Sequence, residues 1–180
     1  MTALHQPNDI ITIFNQCFEQ SYQTVLELGG DEPIYLPADN NHRFHRIIFA
    51  HGYYASALHE IAHWMIAGEK RRLLEDYGYW YQPDGRSDEV QAEFEKVEIK
   101  PQAIEWIIAM SCGYPFRVSC DNLNGQSQPD RMVFTKKVQQ QVFSYLEKGV
   151  STRVEVLSNA LRAYYQVDEI NPEMFQLPKW

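Results

Sequence analysis

The chain has 180 residues, about the length of one domain, and we expect a single domain over residues 1–180. Apolar residues make up 44% of it and aromatic residues 13%, enough for a hydrophobic core, which excludes an intrinsically disordered chain. The formal charge of −8 argues against a broad basic surface for nucleic acid and favours a cationic substrate or a positively charged protein partner. Many soluble enzymes are equally acidic for solubility alone.

The cysteines and the hydrophobic runs bear on where the protein works. Cys17, Cys112 and Cys120 are odd in number and lack a metal-binding spacing, so no disulfide framework is expected. The segment MTALHQPNDIITIF lacks the basic and apolar parts of a signal peptide, and no apolar run approaches the roughly 18 residues of a membrane span. These features predict a cytoplasmic protein that binds neither a membrane nor nucleic acid.

The first third of the chain predicts a helix, a loop and a strand. Asn8 or Asp9 can cap a helix whose apolar residues recur at helical spacing, and the glycines at 29–30 are expected to end it. The loop over 31–45 contains two prolines that restrict any strand in it to the edge of a sheet. The apolar segment RIIFAHG at 46–52 predicts a short buried strand.

The middle of the chain predicts mostly helices. One is expected over 54–66 and a shorter one over 69–76, after which the aromatic run YGYWYQPDGR at 77–86 resembles a strand closed by a turn. Ser87 is expected to cap a helix over DEVQAEFEKVEIK, and Pro101 is expected to begin another over PQAIEWIIAMSC.

After a long loop rich in turn-forming residues, two terminal helices are predicted around 133–148 and 153–165. The fold class expected from these elements is α+β and mostly helical. It has a small sheet and a zincin-like metal helix that carries the H-E-x-x-H pattern described next.

His59, Glu60 and His63 form the H-E-x-x-H pattern inside an apolar helix. Two histidines four positions apart project from the same face of a helix, so both can bind one metal ion. Glu60 is rotated by about 100° from His59 and is expected to handle protons beside the metal as a catalytic residue. A helix that is apolar on most sides has little reason to carry these groups unless they are paired.

A third ligand is needed, and the residues alone leave its identity open. Glu98 stands out because it lies between Val97 and Ile99, just before Pro101. The downstream carboxylates within reach are Glu75, Asp76, Asp84, Asp88, Glu89, Glu93, Glu95, Glu98 and Glu105. Two histidines and one carboxylate serve both hydrolytic zinc and non-haem iron.

Four further residues are candidates for substrate binding. His51 ends the predicted strand just before the metal helix. Tyr79 and Tyr81 belong to an aromatic cluster that can wall a pocket and hold a cation against a ring face. Asp121 lies in the long polar loop. Each of the four also has an ordinary structural interpretation as a core, turn or loop residue.

Six segments, in order between residues 31 and 134, resemble the bacterial elongation factor P hydroxylases, the EpmC/YfcM family. The segments are DEPIYLPAD, IFAHGYYASALHEIAHW, YGYWYQPDGR, VEIKPQAIEW, GYPFRVSCDNL and PDRMVF. The resemblance implies hydroxylation of the elongation factor P lysine that already carries a β-lysyl group, in a fold outside the usual 2-oxoglutarate oxygenases.

The resemblance also implies a metal site of two histidines and one carboxylate. His59 and His63 fall on the family's histidines and Glu98 on the glutamate of its V-E-x-K-P-Q motif, with Glu60 as the rival carboxylate. The implied metal is Fe(II), with zinc or another divalent ion able to occupy a purified sample, and molecular oxygen is the expected oxidant. The cosubstrate is not implied. The alternative hypotheses are a zinc metallopeptidase and a metal-free structural domain.

Overall fold

A computed structural model describes residues 4–79, 84–120, 122–125 and 128–178. Within these residues the chain forms five α-helices, a three-stranded sheet and three short 3-10 turns. The elements are α1 (Pro7–Tyr22), β1 (Thr24–Leu28), β2 (Ile34–Leu36), β3 (His45–Phe49), α2 (Tyr54–Ile66), α3 (Asp88–Ser111), α4 (Arg131–Lys148) and α5 (Thr152–Tyr165). The α+β, mostly helical class is therefore confirmed. Each described helix is either too short or too polar to span a lipid bilayer.

The sheet has the order β1-β3-β2, so β3 is central, parallel to β1 and antiparallel to β2. Ile47 and Phe49 of β3 are buried in the core. The short strand β2 lies at the edge between Pro33 and Pro37, as the two prolines predict, because a proline cannot donate to a strand ladder.

The predicted end of the first helix at residues 29–30 is wrong. α1 begins at Pro7, which suits a first helical turn, and stops at Tyr22, where Gln23 adopts a left-handed conformation with φ 48°. The next residues form β1 and pair with β3 in parallel. Pairing with a distant buried strand outweighs the weak local preference of this segment for a helix.

The predicted break at Pro101 is also wrong, because α3 runs without interruption from Asp88 to Ser111, capped by Ser87 as expected. Proline removes only the hydrogen bond to the carbonyl four residues earlier, that of Val97. Val97 is 40% exposed, so this turn of the helix lies near the surface. The helix continues because its C-terminal half is buried nearly all round.

The segment after α2 is less regular than predicted. Instead of a helix over 69–76, the structure has two 3-10 turns, Arg71–Leu73 and Glu75–Gly78. Asp76 and Tyr77 have positive φ angles of 45° and 59°, which a helix cannot include. The Asp76 carboxylate accepts the backbone N–H of Tyr35 on β2 at 2.8 Å, so this segment is tied to the edge strand. No strand forms over the described residues 77–79 and 84–86, and residues 80–83 lie outside the described part of the chain.

The bounds of α2 are those predicted, Tyr54–Ile66, and the helix is buried on most sides. Its C-terminal carbonyls are held by two arginines. Arg153 of α5 donates to the carbonyls of Trp64 and Ala67 at 2.7 and 2.9 Å, and Arg72 donates to that of Ala67 at 2.7 Å. The helix that carries His59 and His63 is thereby anchored from a distant part of the chain.

Candidate metal centre

His59 and His63 of α2 face Glu98 of α3, and each of the three offers one ligand atom within 4.8 Å of the others. The Nε2 atoms of the two histidines are 3.2 Å apart. His63 Nε2 lies 3.2 Å from Glu98 Oε1, and His59 Nε2 lies 3.8 Å from Glu98 Oε2. Two imidazole nitrogens and one carboxylate converging on one point suit a divalent metal ion and leave positions on it open.

Glu98 is 2% exposed and is held in place by Gln102, whose Nε2 donates to Glu98 Oε2 at 3.1 Å. Burial by itself would raise the pKa of Glu98. The hydrogen bond with His63 and the positive charges of His63 and His59 outweigh burial and lower this pKa to about 2. Glu98 is therefore a carboxylate at neutral pH, the form that a metal ion requires.

Glu105, one helical turn further along α3, orients His59. The Nδ1–H of His59 donates to Glu105 Oε2 at 2.8 Å, and Glu105 is 8% exposed. This contact leaves Nε2 of His59 directed at Glu98 and His63, the arrangement by which a carboxylate fixes a ligand histidine. Burial by itself would lower the pKa of His59, but the charge and hydrogen bond of Glu105, with the charge of Glu98, raise it to about 10.

Sequence reasoning missed the roles of Gln102 and Glu105. Glu98, Gln102 and Glu105 are spaced i, i+4 and i+7, which places them on one face of a continuous helix. That spacing is a signal the sequence contains. It was hidden by the interpretation of Pro101 as a helix start, which assigned Glu98 and the other two residues to different elements.

Glu60 lies outside the three-residue cluster, next to it on α2. In the described part of the chain no hydrogen bond or ion pair engages its carboxylate. Burial raises the pKa of Glu60, with the histidines lowering it and Glu98 and Asp76 raising it further. Burial and then Glu60 itself raise the pKa of Tyr77, whose buried hydroxyl has no partner among the described residues.

The structure describes two of the four candidate substrate-binding residues, His51 and Tyr79. His51 is exposed at the turn after β3, with side-chain contacts to Asp31 and Tyr53. Tyr79 is 37% exposed, and the Arg71 guanidinium lies 4.1 Å from the centre of its ring. Tyr81 and Asp121 fall outside the described residues.

The metal-free protein is expected to gain most stability from this site between pH 4.5 and 6.5, the ordinary pKa values of glutamate and histidine. The pKa of Glu98 is lowered by folding, so its contribution is present above pH 4.5 and is lost as the pH falls towards about 2. The pKa of His59 is raised, so its contribution is present below pH 6.5 and is lost as the pH rises towards about 10.

Urea unfolding of chelator-treated protein over a pH series measures this dependence. The matched variant His59→Gln cannot carry the charge, so its stability relative to wild type should improve as the pH rises from 6.5. A wild-type advantage that grows over that range would contradict the assignment.

Comparison with known proteins assigns the chain to a family. The family model described as EpmC, elongation factor P hydroxylase, matches residues 13–175. A protein of Haemophilus influenzae (strain Rd), named elongation factor P lysine hydroxylase, is 55% identical over 174 residues, which cover 96% of this chain and 97% of that protein. Similarity at this level extends over both helices of the metal centre. The chain therefore belongs to the elongation factor P hydroxylases, a family of enzymes.

Proposed function

We propose that this enzyme hydroxylates the lysine of elongation factor P that already carries a β-lysyl group, with a metal ion held by His59, His63 and Glu98. The observation that carries the proposal is the convergence of these three side chains in a member of this family. We further propose that the enzyme acts in the cytoplasm, because its proposed substrate is a translation factor. We also propose that the chain forms one domain.

Iron is the proposed metal, since two histidines and one carboxylate leave open positions, as in non-haem Fe(II) oxygenases. When bound, iron would supply the chemistry that activates molecular oxygen, an oxidising power that no amino-acid side chain has. Glu105 keeps His59 in the tautomer that directs Nε2 to the metal, and Gln102 keeps Glu98 facing His63. Glu98, Glu105 and His63 are buried, so bulk water has little access to this part of the centre.

Glu60 is the proposed proton-handling residue. It neighbours the cluster without belonging to it, and its carboxylate is unoccupied by other hydrogen bonds among the described residues. The raised pKa of Glu60 brings it closer to neutral pH, where a group can both accept and return a proton.

The acidic character of the centre suits a substrate that carries amines. Glu60, Glu98 and Glu105 bring three carboxylates to the metal and its two histidines, so the centre favours a cation. His51, Tyr79, Tyr81 and Asp121 remain proposed contacts for the substrate. The Arg71 guanidinium covers one face of the Tyr79 ring.

Mass spectrometry of elongation factor P tests the proposal. β-Lysylated elongation factor P is incubated in air with the Fe(II)-loaded enzyme and an added two-electron reductant, whose electrons convert the second oxygen atom of O2 to water. The modified peptide should gain the mass of one oxygen atom. Elongation factor P with an unmodified lysine is the control and should gain less or none. A β-lysylated peptide that never gains oxygen in the presence of metal-loaded enzyme would overturn the proposed reaction.

A zinc metallopeptidase, the alternative suggested by the H-E-x-x-H pattern, is not favoured. The 55% identical relative is named as a lysine hydroxylase, and the match extends over nearly the full length of both chains. That α2 resembles the metal-binding helix of zinc peptidases in its fold stays a hypothesis, and it does not imply peptidase activity.

A further inference from the structure

A loop crosses the metal-bearing face of α3 and is held there by glutamine side chains. We call residues 119–120 and 122–125 the strap. Gln102 makes two hydrogen bonds with the backbone of Ser119, accepting its N–H at 2.9 Å and donating to its carbonyl at 2.7 Å. Gln91, eleven positions earlier on α3, donates to the carbonyl of Cys120 at 3.0 Å. Two consecutive strap residues are therefore bound by glutamines from two separate turns of α3.

A third amide, inside the strap itself, ties the strap to the segment before α3. Asn122 accepts the backbone N–H of Arg86 at 2.8 Å and donates to the carbonyl of Arg86 at 2.7 Å. Gln91, Gln102 and Asn122 are 5%, 0% and 0% exposed. Buried amides of this kind have no water to replace a lost partner, so each hydrogen bond restricts the position of the strap.

Gln102 differs from the other two amides because it also contacts a proposed metal ligand. Its Nε2 donates to Glu98 Oε2 at 3.1 Å as well as to Ser119, so both of its amide hydrogens are used. Glu98 Oε1, the other oxygen of the same carboxylate, is the atom 3.2 Å from His63 Nε2. The hydrogen bond to one oxygen thus sets the direction in which the other oxygen points.

We propose that Gln102 is a positioning residue that aims Glu98 at the metal and couples the metal centre to the strap. The inference rests on the proposed metal site and adds a residue and a loop to it. Because coupling between two sites is reciprocal, metal binding should hold the strap more firmly, and a held strap should tighten metal binding.

The test compares Gln102→Met with Gln91→Met, two near-isosteric changes. Gln91→Met removes one hydrogen bond to the strap. Gln102→Met removes two hydrogen bonds to the strap and also the one to Glu98. Co(II) is titrated into each metal-free protein and followed by visible absorption. We expect Gln102→Met to weaken Co(II) binding by roughly 10- to 100-fold, the range for a residue that orients a ligand, and to shift the spectrum. Gln91→Met loosens the strap without touching Glu98, so it should weaken Co(II) binding much less than Gln102→Met does and leave the spectrum unchanged.

Equal Co(II) affinity in Gln102→Met and wild type would overturn the proposal. An equal loss in both variants would overturn it too, because the cause would then be a loose strap and not a misdirected Glu98. A wild-type protein that binds no Co(II) would remove the metal site and this inference together. Affinity is read without elongation factor P, so a failed hydroxylation assay does not enter this result.

A second measurement uses only the wild-type protein and therefore does not depend on whether Gln102→Met folds. Hydrogen exchange is compared with and without Co(II). The amide of Ser119, which donates to Gln102, should exchange more slowly when Co(II) is bound. Unchanged exchange at Ser119 in Co(II)-saturated protein would overturn the coupling.

Discussion

His63→Ala is expected to abolish metal binding and lysine hydroxylation together. His63 is 9% exposed, and its Nε2 lies 3.2 Å from both Glu98 Oε1 and His59 Nε2, so it is at the centre of the cluster. Alanine removes one of the three proposed ligands. The loss of affinity should therefore exceed the roughly 10- to 100-fold that follows removal of a residue that only orients a ligand. Elemental analysis of the purified variant and the mass of treated elongation factor P measure the two effects.

His42→Ala is the matched control. His42 is an exposed histidine whose ring bonds to Asp39, away from the cluster, and its replacement should leave metal content and hydroxylation unchanged. Full metal content in folded His63→Ala would show that His63 is not a ligand, and the proposed site would have to be rebuilt around other residues.

Glu98→Gln and Glu60→Gln are expected to have different large effects, the first on metal binding and the second on hydroxylation. Glu98→Gln keeps the shape of the side chain and removes its charge, so metal affinity should fall by roughly 100-fold or more, beyond the loss of an orienting residue. Glu60→Gln should bind metal as wild type does, while hydroxylation falls by roughly 100-fold or more, as for loss of a proton-transfer group. Metal titration and single-turnover hydroxylation, run on both variants, separate the two roles.

Glu93→Gln is the control for α3, since Glu93 is exposed and paired with Lys96 at 2.6 Å, and neither quantity should change. The opposite pattern, with metal lost in Glu60→Gln and kept in Glu98→Gln, would transfer the ligand role to Glu60. Glu98 would then be left as a buried partner of the histidines.

Much of the fold follows from local patterns. The apolar run around His59 predicts α2 to its terminal residues, and the prolines that flank β2 predict its place at the sheet edge. β1 could not be predicted in this way, because it is a strand only through parallel pairing with β3, about twenty residues later. The prediction of a helix start at Pro101 was wrong because the packing that keeps α3 continuous comes from other elements.

The residues of the candidate site also differ in how far local sequence patterns predict them. The i, i+4 spacing of His59 and His63 predicts their shared face from local geometry alone. Glu98 required the family resemblance, since which of several glutamates returns to α2 depends on how α2 and α3 pack. Gln102 and Glu105 required the structure, because their spacing from Glu98 is informative only once α3 is known to be continuous.

The anchoring of α2 by Arg153 has a consequence for biosynthesis. The proposed ligands, from His59 to Glu98, leave the ribosome well before Arg153, which lies in the last described helix. Until α5 is made and docks, the carbonyls of Trp64 and Ala67 lack this guanidinium, and the C-terminal end of the ligand helix is less firmly held. A nascent chain therefore fixes the helix that carries His59 and His63 only after α5 has been synthesised and has packed against it.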